Sequence, residues 1–121
     1  MVMPKQTTKQ SGDVGEEIAR RFLREKGLEL VDLNYRYGHG EIDIIAKDGE
    51  VLVFCEVKMR KGDSYGDPEY AITARKQKQI RRIAQAYLYQ HAIDNQACRF
   101  DVVAIRMKGI TPQINYIKNA F

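Results

Sequence analysis

Four charged residues, Glu41, Asp43, Glu56 and Lys58, interrupt an otherwise apolar stretch, "GEIDIIAKDGEVLVFCEVKMR" (residues 40–60). The stretch reads as two strands, 41–47 and 50–59, joined at Asp48-Gly49. That dipeptide favours a type I′ hairpin turn, which needs positive φ at both positions. The turn would place Lys47 opposite Glu50, Ile45 opposite Leu52, Asp43 opposite Phe54 and Glu41 opposite Glu56. Side chains alternate along a strand, so all four charged residues would emerge from one face. Asp43 becomes the diagonal neighbour of Glu56, roughly 7–8 Å away at the backbone. A loop one residue longer would send Glu56 to the other face.

Like charges crowded on a half-buried sheet cost stability and call for compensation. A divalent cation supplies it, and hard carboxylate oxygens suit Mg²⁺ or Mn²⁺. Pairing of Glu41 and Glu56 with Lys58 and nearby arginines on a solvated face supplies it too. Phe54 and Leu52, on the same face, favour a lined cleft.

The elements that must position these residues follow from periodicity. A chain of 121 residues suits one domain. Residues 1–10 are polar and expected as a disordered tail, leaving 11–121 as a single domain. Residues 11–26 read as a helix with Asp13 as cap, an apolar stripe of Ile18, Ala19, Phe22 and Leu23, and Gly27 as stop. Residues 28–37 alternate as a strand. After the glycine-bearing loop "RKGDSYGD", Pro68 is expected to open a long helix to about His91, with Ile72, Ile80, Ile83, Ala84, Tyr87 and Leu88 on one face. Residues 99–107 and 113–120 read as strands. The order αβββαββ predicts an α/β fold with one mixed sheet flanked by helices.

Hydrophobic residues make up 44% of the chain and charged residues 30%, as in ordinary globular domains. No apolar run approaches the roughly 18 residues of a membrane span, and the N-terminus lacks the apolar centre of a signal peptide, so a cytoplasmic protein without a membrane partner is expected. Cys55 and Cys98 match no metal or redox spacing; Cys55, inside an apolar strand, is expected as a reduced, buried thiol.

The net charge of +4 says little until it is located. Arg75, Lys76, Lys78, Arg81 and Arg82 fall within eight positions that hold no acid. Such a run is usually a solvated helix face. Lys76, however, is in register with Ile72 and Ile80 and points inward, toward the cleft. Arg75, Lys78 and Arg82 are spaced to follow a phosphate backbone, and Arg60 and Lys61 fit the same surface. Glu16 shares the stripe of Ala19 and Leu23 and faces the sheet, although Asp13 and Glu16 also have capping-box spacing. Glu17 points outward and pairs with Arg21. His39 and His91 read as surface residues, Tyr65 as a loop aromatic that could stack on a base, and Asp101 as a structural ion-pairing group.

Asp43, twelve intervening residues, then Glu56-Val57-Lys58 resembles the D…(D/E)xK signature of the PD-(D/E)XK nuclease superfamily. More narrowly, the chain resembles the YraN family of small bacterial endonuclease-like proteins over residues 12–107. The blocks that carry this are "GEEIA", "GEIDIIA", "VFCEVKMR", "YGDP", "ARKQKQIRRIAQAYL" and "RFDVVAI". The arrangement is also similar to archaeal Holliday-junction resolvases. Ile42 stands where the superfamily name has proline. The resemblance implies a restriction-endonuclease-like αβββαβ core and Mg²⁺- or Mn²⁺-dependent phosphodiester cleavage. Asp43 and Glu56 match the metal-binding acids, Lys58 the lysine that activates water, and Glu16 the first-helix acid that completes the site. Glu41 is a further candidate ligand or the partner of an arginine.

Two functional classes follow. One is a metal-dependent DNA endonuclease, with branched DNA among its substrates and a homodimer if both strands are cut. The other is a nucleic-acid-binding module with the same fold and no cleavage. A purely structural role for the acids is the third reading.

Overall fold

The computed structural model describes residues 7–61 and 72–121. Its element order is α1 (Thr7–Glu25), β1 (Glu29–Tyr37), β2 (Gly40–Asp48), β3 (Val51–Lys61), α2 (Ala74–Gln90), β4 (Cys98–Lys108) and β5 (Thr111–Ile117). One five-stranded sheet has the spatial order β1-β2-β3-β4-β5. Only β3 and β4 run parallel. A parallel neighbour requires a crossover, and α2 lies in that connection. The fold is α/β with a mixed sheet, as the hydrophobic pattern and the αβββαβ resemblance predict.

Among the described residues each face of the sheet carries one helix. Ala19 and Leu23 of α1 pack with Ile44, Ala46, Val53, Cys55, Val103 and Ile105. Ile80, Ile83, Ala84 and Tyr87 of α2 pack with Ile42, Ile45, Leu52 and Phe54 on the other side. Central strands covered on both faces become continuously apolar, which is why "VLVF" and "VVAI" show no polar alternation.

Both helix starts differ from the sequence reading. α1 begins at Thr7, so Thr7–Gln10 are helical where a disordered tail was expected. The run from Thr7 to Ser11 holds neither proline nor glycine, and nothing in it halts a helix. Asp13 and Glu16 therefore lie inside α1, and the capping-box reading of Glu16 falls. α2 begins at Ala74, capped by Thr73, whose Oγ1 accepts the Lys76 amide at 3.1 Å. The expected start at Pro68 lies outside the described residues.

The β2–β3 turn is also displaced. The ladder pairs Asp48 with Val51, Lys47 with Leu52, Ala46 with Val53, Ile45 with Phe54 and Ile44 with Cys55. The turn residues are thus Gly49 and Glu50, with positive φ at Gly49 (63°) and not at Asp48. Glycine at the first central position suits a type II′ turn. Asp48 stays in the strand, where its carboxylate holds Arg99 Nη2 at 2.9 Å. The register differs from expectation by two residues, an even number, so the faces of β3 are unchanged.

Asp101 is fully buried on β4. It accepts hydrogen bonds from Arg99 Nε (2.9 Å), Tyr116 Oη (2.5 Å) and the Asn119 amide (2.9 Å). A buried carboxylate so fully satisfied ties β4 to the end of β5 and has the structural role expected of it. Cys55 is buried and Cys98 exposed, and both are free thiols.

Candidate active site

The site forms where the β2–β3 ladder opens. Pairing ends at Ile44↔Cys55, and one step further the same register sets Asp43 beside Glu56. There the Asp43 side chain replaces the strand: its Oδ2 accepts the Val57 amide at 2.8 Å. The two acids are therefore direct cross-strand neighbours, closer than the diagonal relation the sequence predicts. Lys58 follows Glu56 by two residues and shares its face.

β1 and β2 both bend at this level. Their pairs run Leu33↔Ile44 and Tyr35↔Ile42, passing over Asn34 and Asp43. Asn34 adopts φ 51°, in the left-handed region. Ile42 packs with α2 although Ile44, two residues on, packs with α1. The alternation of β2 thus turns over at Asp43. Gly40 is also on the α2 side, where a Cβ would meet Gln79 and Ile83 within 3 Å. Glu41, between Gly40 and Ile42, consequently turns toward α1, and the expectation that all four charges share one face is corrected. The cluster survives because Glu41 meets Glu16 there. Asn34 Nδ2 donates to Glu16 Oε1 at 2.9 Å and to Glu41 Oε2 at 3.3 Å.

Glu16 faces the sheet as its place in the stripe predicts, while Glu17 faces outward and pairs with Arg20 and Arg21. Gly15 lets α1 come this close. A Cβ there would lie 2.9 Å from Met59 Sδ and 3.2 Å from Met59 Cβ. Gly15→Ala should therefore cost about 1–3 kcal/mol in overpacking, against roughly 1 kcal/mol gained in helix propensity. Urea unfolding should show a net loss; a gain would mean that α1 is free to shift off β3.

Burial is the main force on the acid pair. It pushes the Asp43 carboxyl up to about 8, helped by the charges of Glu56, Glu16 and Glu41 and opposed by the Val57 amide. Burial also raises Glu56, against the pull of Lys76 and a hydrogen bond from Asp43. Both shifts run upward, and with Asp43 raised to about 8 its carboxyl favours the protonated form at neutral pH. Lys76 Nζ stands 3.6 Å from Glu56 Oε2, so this lysine reaches the cleft as its register predicts.

The sequence pattern of the "Uncharacterised protein family UPF0102" matches residues 15–105. The chain belongs to this family. A UPF0102 protein of Syntrophus aciditrophicus is 44% identical over 111 residues, covering 92% of this chain and 87% of the relative. One from Rhodococcus opacus is 45% identical over 111 residues, covering 91% and 94%. One from Geotalea daltonii is 45% identical over 118 residues, covering 97% and 93%. The UPF0102 match begins one residue before Glu16 and takes in the whole acid cluster; β5 lies beyond it.

Beside the cluster, the UPF0102 domain presents its basic helix. A groove of about 510 Å³ is lined by Thr73, Arg75, Lys76, Lys78, Gln79 and Arg82. Its lining runs along α2 from the cap Thr73 to Arg82, and Lys76 joins it to the acid cluster through Glu56. Arg81 lies elsewhere, stacked over Phe100 at 4.7 Å. Arg60 is paired across the parallel ladder with Arg106, and its Nε is buried without a hydrogen-bond partner among the described residues. The side chain of Lys61, together with Tyr65 and "YGDP", lies outside the described residues.

Among the described residues no three acidic, histidine or cysteine side chains converge as a ready-made metal cage. Two adjacent carboxylates still fit Mg²⁺, which keeps several waters and takes few protein ligands. Glu41 instead shares Asn34 with Glu16 and has Arg36 at 3.8 Å, an arginine pairing that the sequence reading had left open. His91 stacks on Tyr87 at the end of α2 and has no part in the site. Asn34 was missed by sequence reasoning. Its one signal is an asparagine breaking the alternation of "VDLNYRY", the residue type that best tolerates left-handed backbone.

No helix among the described residues is long and apolar enough to cross a membrane.

Proposed function

We propose that this UPF0102 protein is a divalent-metal-dependent endonuclease acting on DNA, with branched DNA among its substrates. One observation carries the reading: Asp43 and Glu56 are brought side by side at the open end of a ladder, with a cationic groove joined to them through Lys76. Buried acids that repel each other are costly unless a ligand compensates. Asp43 and Glu56 would hold Mg²⁺ or Mn²⁺, which when bound supplies Lewis acidity and a more acidic water. Lys58 would contact a non-bridging phosphate oxygen or orient the attacking water. Arg75, Lys78 and Arg82 would hold flanking phosphates, and Lys76 would exchange Glu56 for phosphate when the groove fills.

A second reading has its own support. The Lys76–Glu56 ion pair already neutralises one acid, as a binding module without turnover would need. The two separate in a cleavage screen of linear, flapped and four-way-junction DNA with Mg²⁺ or Mn²⁺. Metal-dependent cleavage lost in both Asp43→Asn and Lys58→Ala supports the endonuclease. In Lys58→Ala, metal binding should persist, since only a neighbouring positive charge has gone. Tight DNA binding with no cleavage of any substrate by the native protein supports the binding module.

A further inference from the structure

We propose that Asn34 is a positioning residue that fixes Glu16 and Glu41 as outer partners of the metal site, an inference that rests on the metal-dependent reading above. A residue in the middle of a strand with φ 51° is strained unless the surroundings hold it there, and asparagine bears that conformation best. What holds it is the acid pair. Nδ2 donates to Glu16 Oε1 at 2.9 Å and to Glu41 Oε2 at 3.3 Å. Both partners are carboxylates and can only accept, so the amide nitrogen has to face them and both its hydrogens are engaged.

The other ties on these acids are weaker. Arg20 lies 3.8 Å from Glu16, and Arg36, 80% exposed, lies 3.8 Å from Glu41. Asn34 is thus the common anchor of two side chains that come from different elements, α1 and β2. It stands on β1 beside Asp43, at the level where both strands turn over. One oxygen of each acid is bound by the amide. The other oxygen, which on Glu41 also faces Arg36, would be left to accept from water on a cation held by Asp43 and Glu56. Partners of this outer kind orient the ligand shell and are worth 10–100-fold in metal affinity.

The test measures the midpoint of Mn²⁺ binding, read from the concentration at which the melting temperature starts its logarithmic climb. Asn34→Gly keeps the left-handed backbone and removes the amide. It should keep a metal-free melting temperature near the native one and raise the Mn²⁺ midpoint about 10–100-fold. Combined with Glu16→Gln and Glu41→Gln, it should add little, because the carboxylates it positions are already gone. If Asn34→Gly does not fold, Glu16→Ala removes the acceptor and reads the same tie from its other end, with Glu17→Ala as the neighbour that leaves the midpoint unmoved. Stabilisation by Mn²⁺ with an unmoved midpoint in Asn34→Gly, or in Glu16→Ala, overturns the role of Asn34 alone. No stabilisation of the native protein by Mn²⁺ overturns the metal reading and this inference with it.

Discussion

Asp43→Asn should leave the metal-free protein at least as stable as the native one and abolish its stabilisation by Mg²⁺ or Mn²⁺. The substitution keeps what is structural at the position. An asparagine Oδ1 can still accept the Val57 amide that Asp43 Oδ2 accepts at 2.8 Å. What it removes is a carboxyl that burial and Glu56 hold at about 8. Between about pH 4 and pH 8 the folded protein therefore keeps a proton that the unfolded chain has released. The unfolded state then binds fewer protons, so stability falls as pH rises, by at most about 1.4 kcal/mol per pH unit, and levels off above 8. Asp43→Asn should flatten this slope. A cation bound by Asp43 would compete with that proton, so divalent affinity in the native protein should climb up to the same pH. At a hundredfold excess over Kd a ligand specific for the folded state adds about 2.7 kcal/mol, and this increment should vanish in Asp43→Asn. Asp43→Ala is the contrast, because it strands the Val57 amide and should cost about 1–3 kcal/mol. A metal-free loss above about 1 kcal/mol in Asp43→Asn would show that the acids serve structural pairs instead.

The parts of this site that depend on parity were legible in the sequence, and those that depend on local backbone were not. Glu56 and Lys58 share a face because alternation along a strand survives an even shift of register, so moving the turn from Asp48-Gly49 to Gly49-Glu50 changed distances and left that face intact. The inward placement of Lys76 and Glu16 came from helical spacing, which does not depend on where a helix starts. Both predictions therefore survived two misplaced helix starts. Glu41 failed because period-2 reasoning assumes an unbroken strand, and one left-handed residue on the neighbouring strand turns β2 over at Asp43. Such a residue leaves no pattern beyond its own identity. The extension of α1 to Thr7 was hidden for a related reason: its first turns carry no apolar stripe.

The largest binding effect should come from the basic helix. In the triple variant of Arg75, Lys78 and Arg82 to alanine, DNA affinity should fall on the order of several hundred-fold at 0.1 M salt, because each phosphate contact contributes close to one released counterion. The loss should be alike for all sequences, since phosphate contacts read none. The slope of log affinity against log salt should become shallower by roughly 3. An unchanged slope would remove the groove on α2 from the DNA surface. Lys76 should behave differently from its neighbours, because its ammonium stands 3.6 Å from Glu56 while the other three line the groove beyond it. On the proposed function Lys76→Ala would delete one phosphate contact and at the same time free an acid for the cation. It should weaken DNA binding by a single contact and strengthen Mn²⁺ binding in the absence of DNA, where the triple variant leaves Mn²⁺ binding unmoved. That opposition would follow from one lysine serving two anions in turn: Glu56 in the protein alone, and on the proposed function a phosphate once DNA is bound, with Glu56 released to the cation.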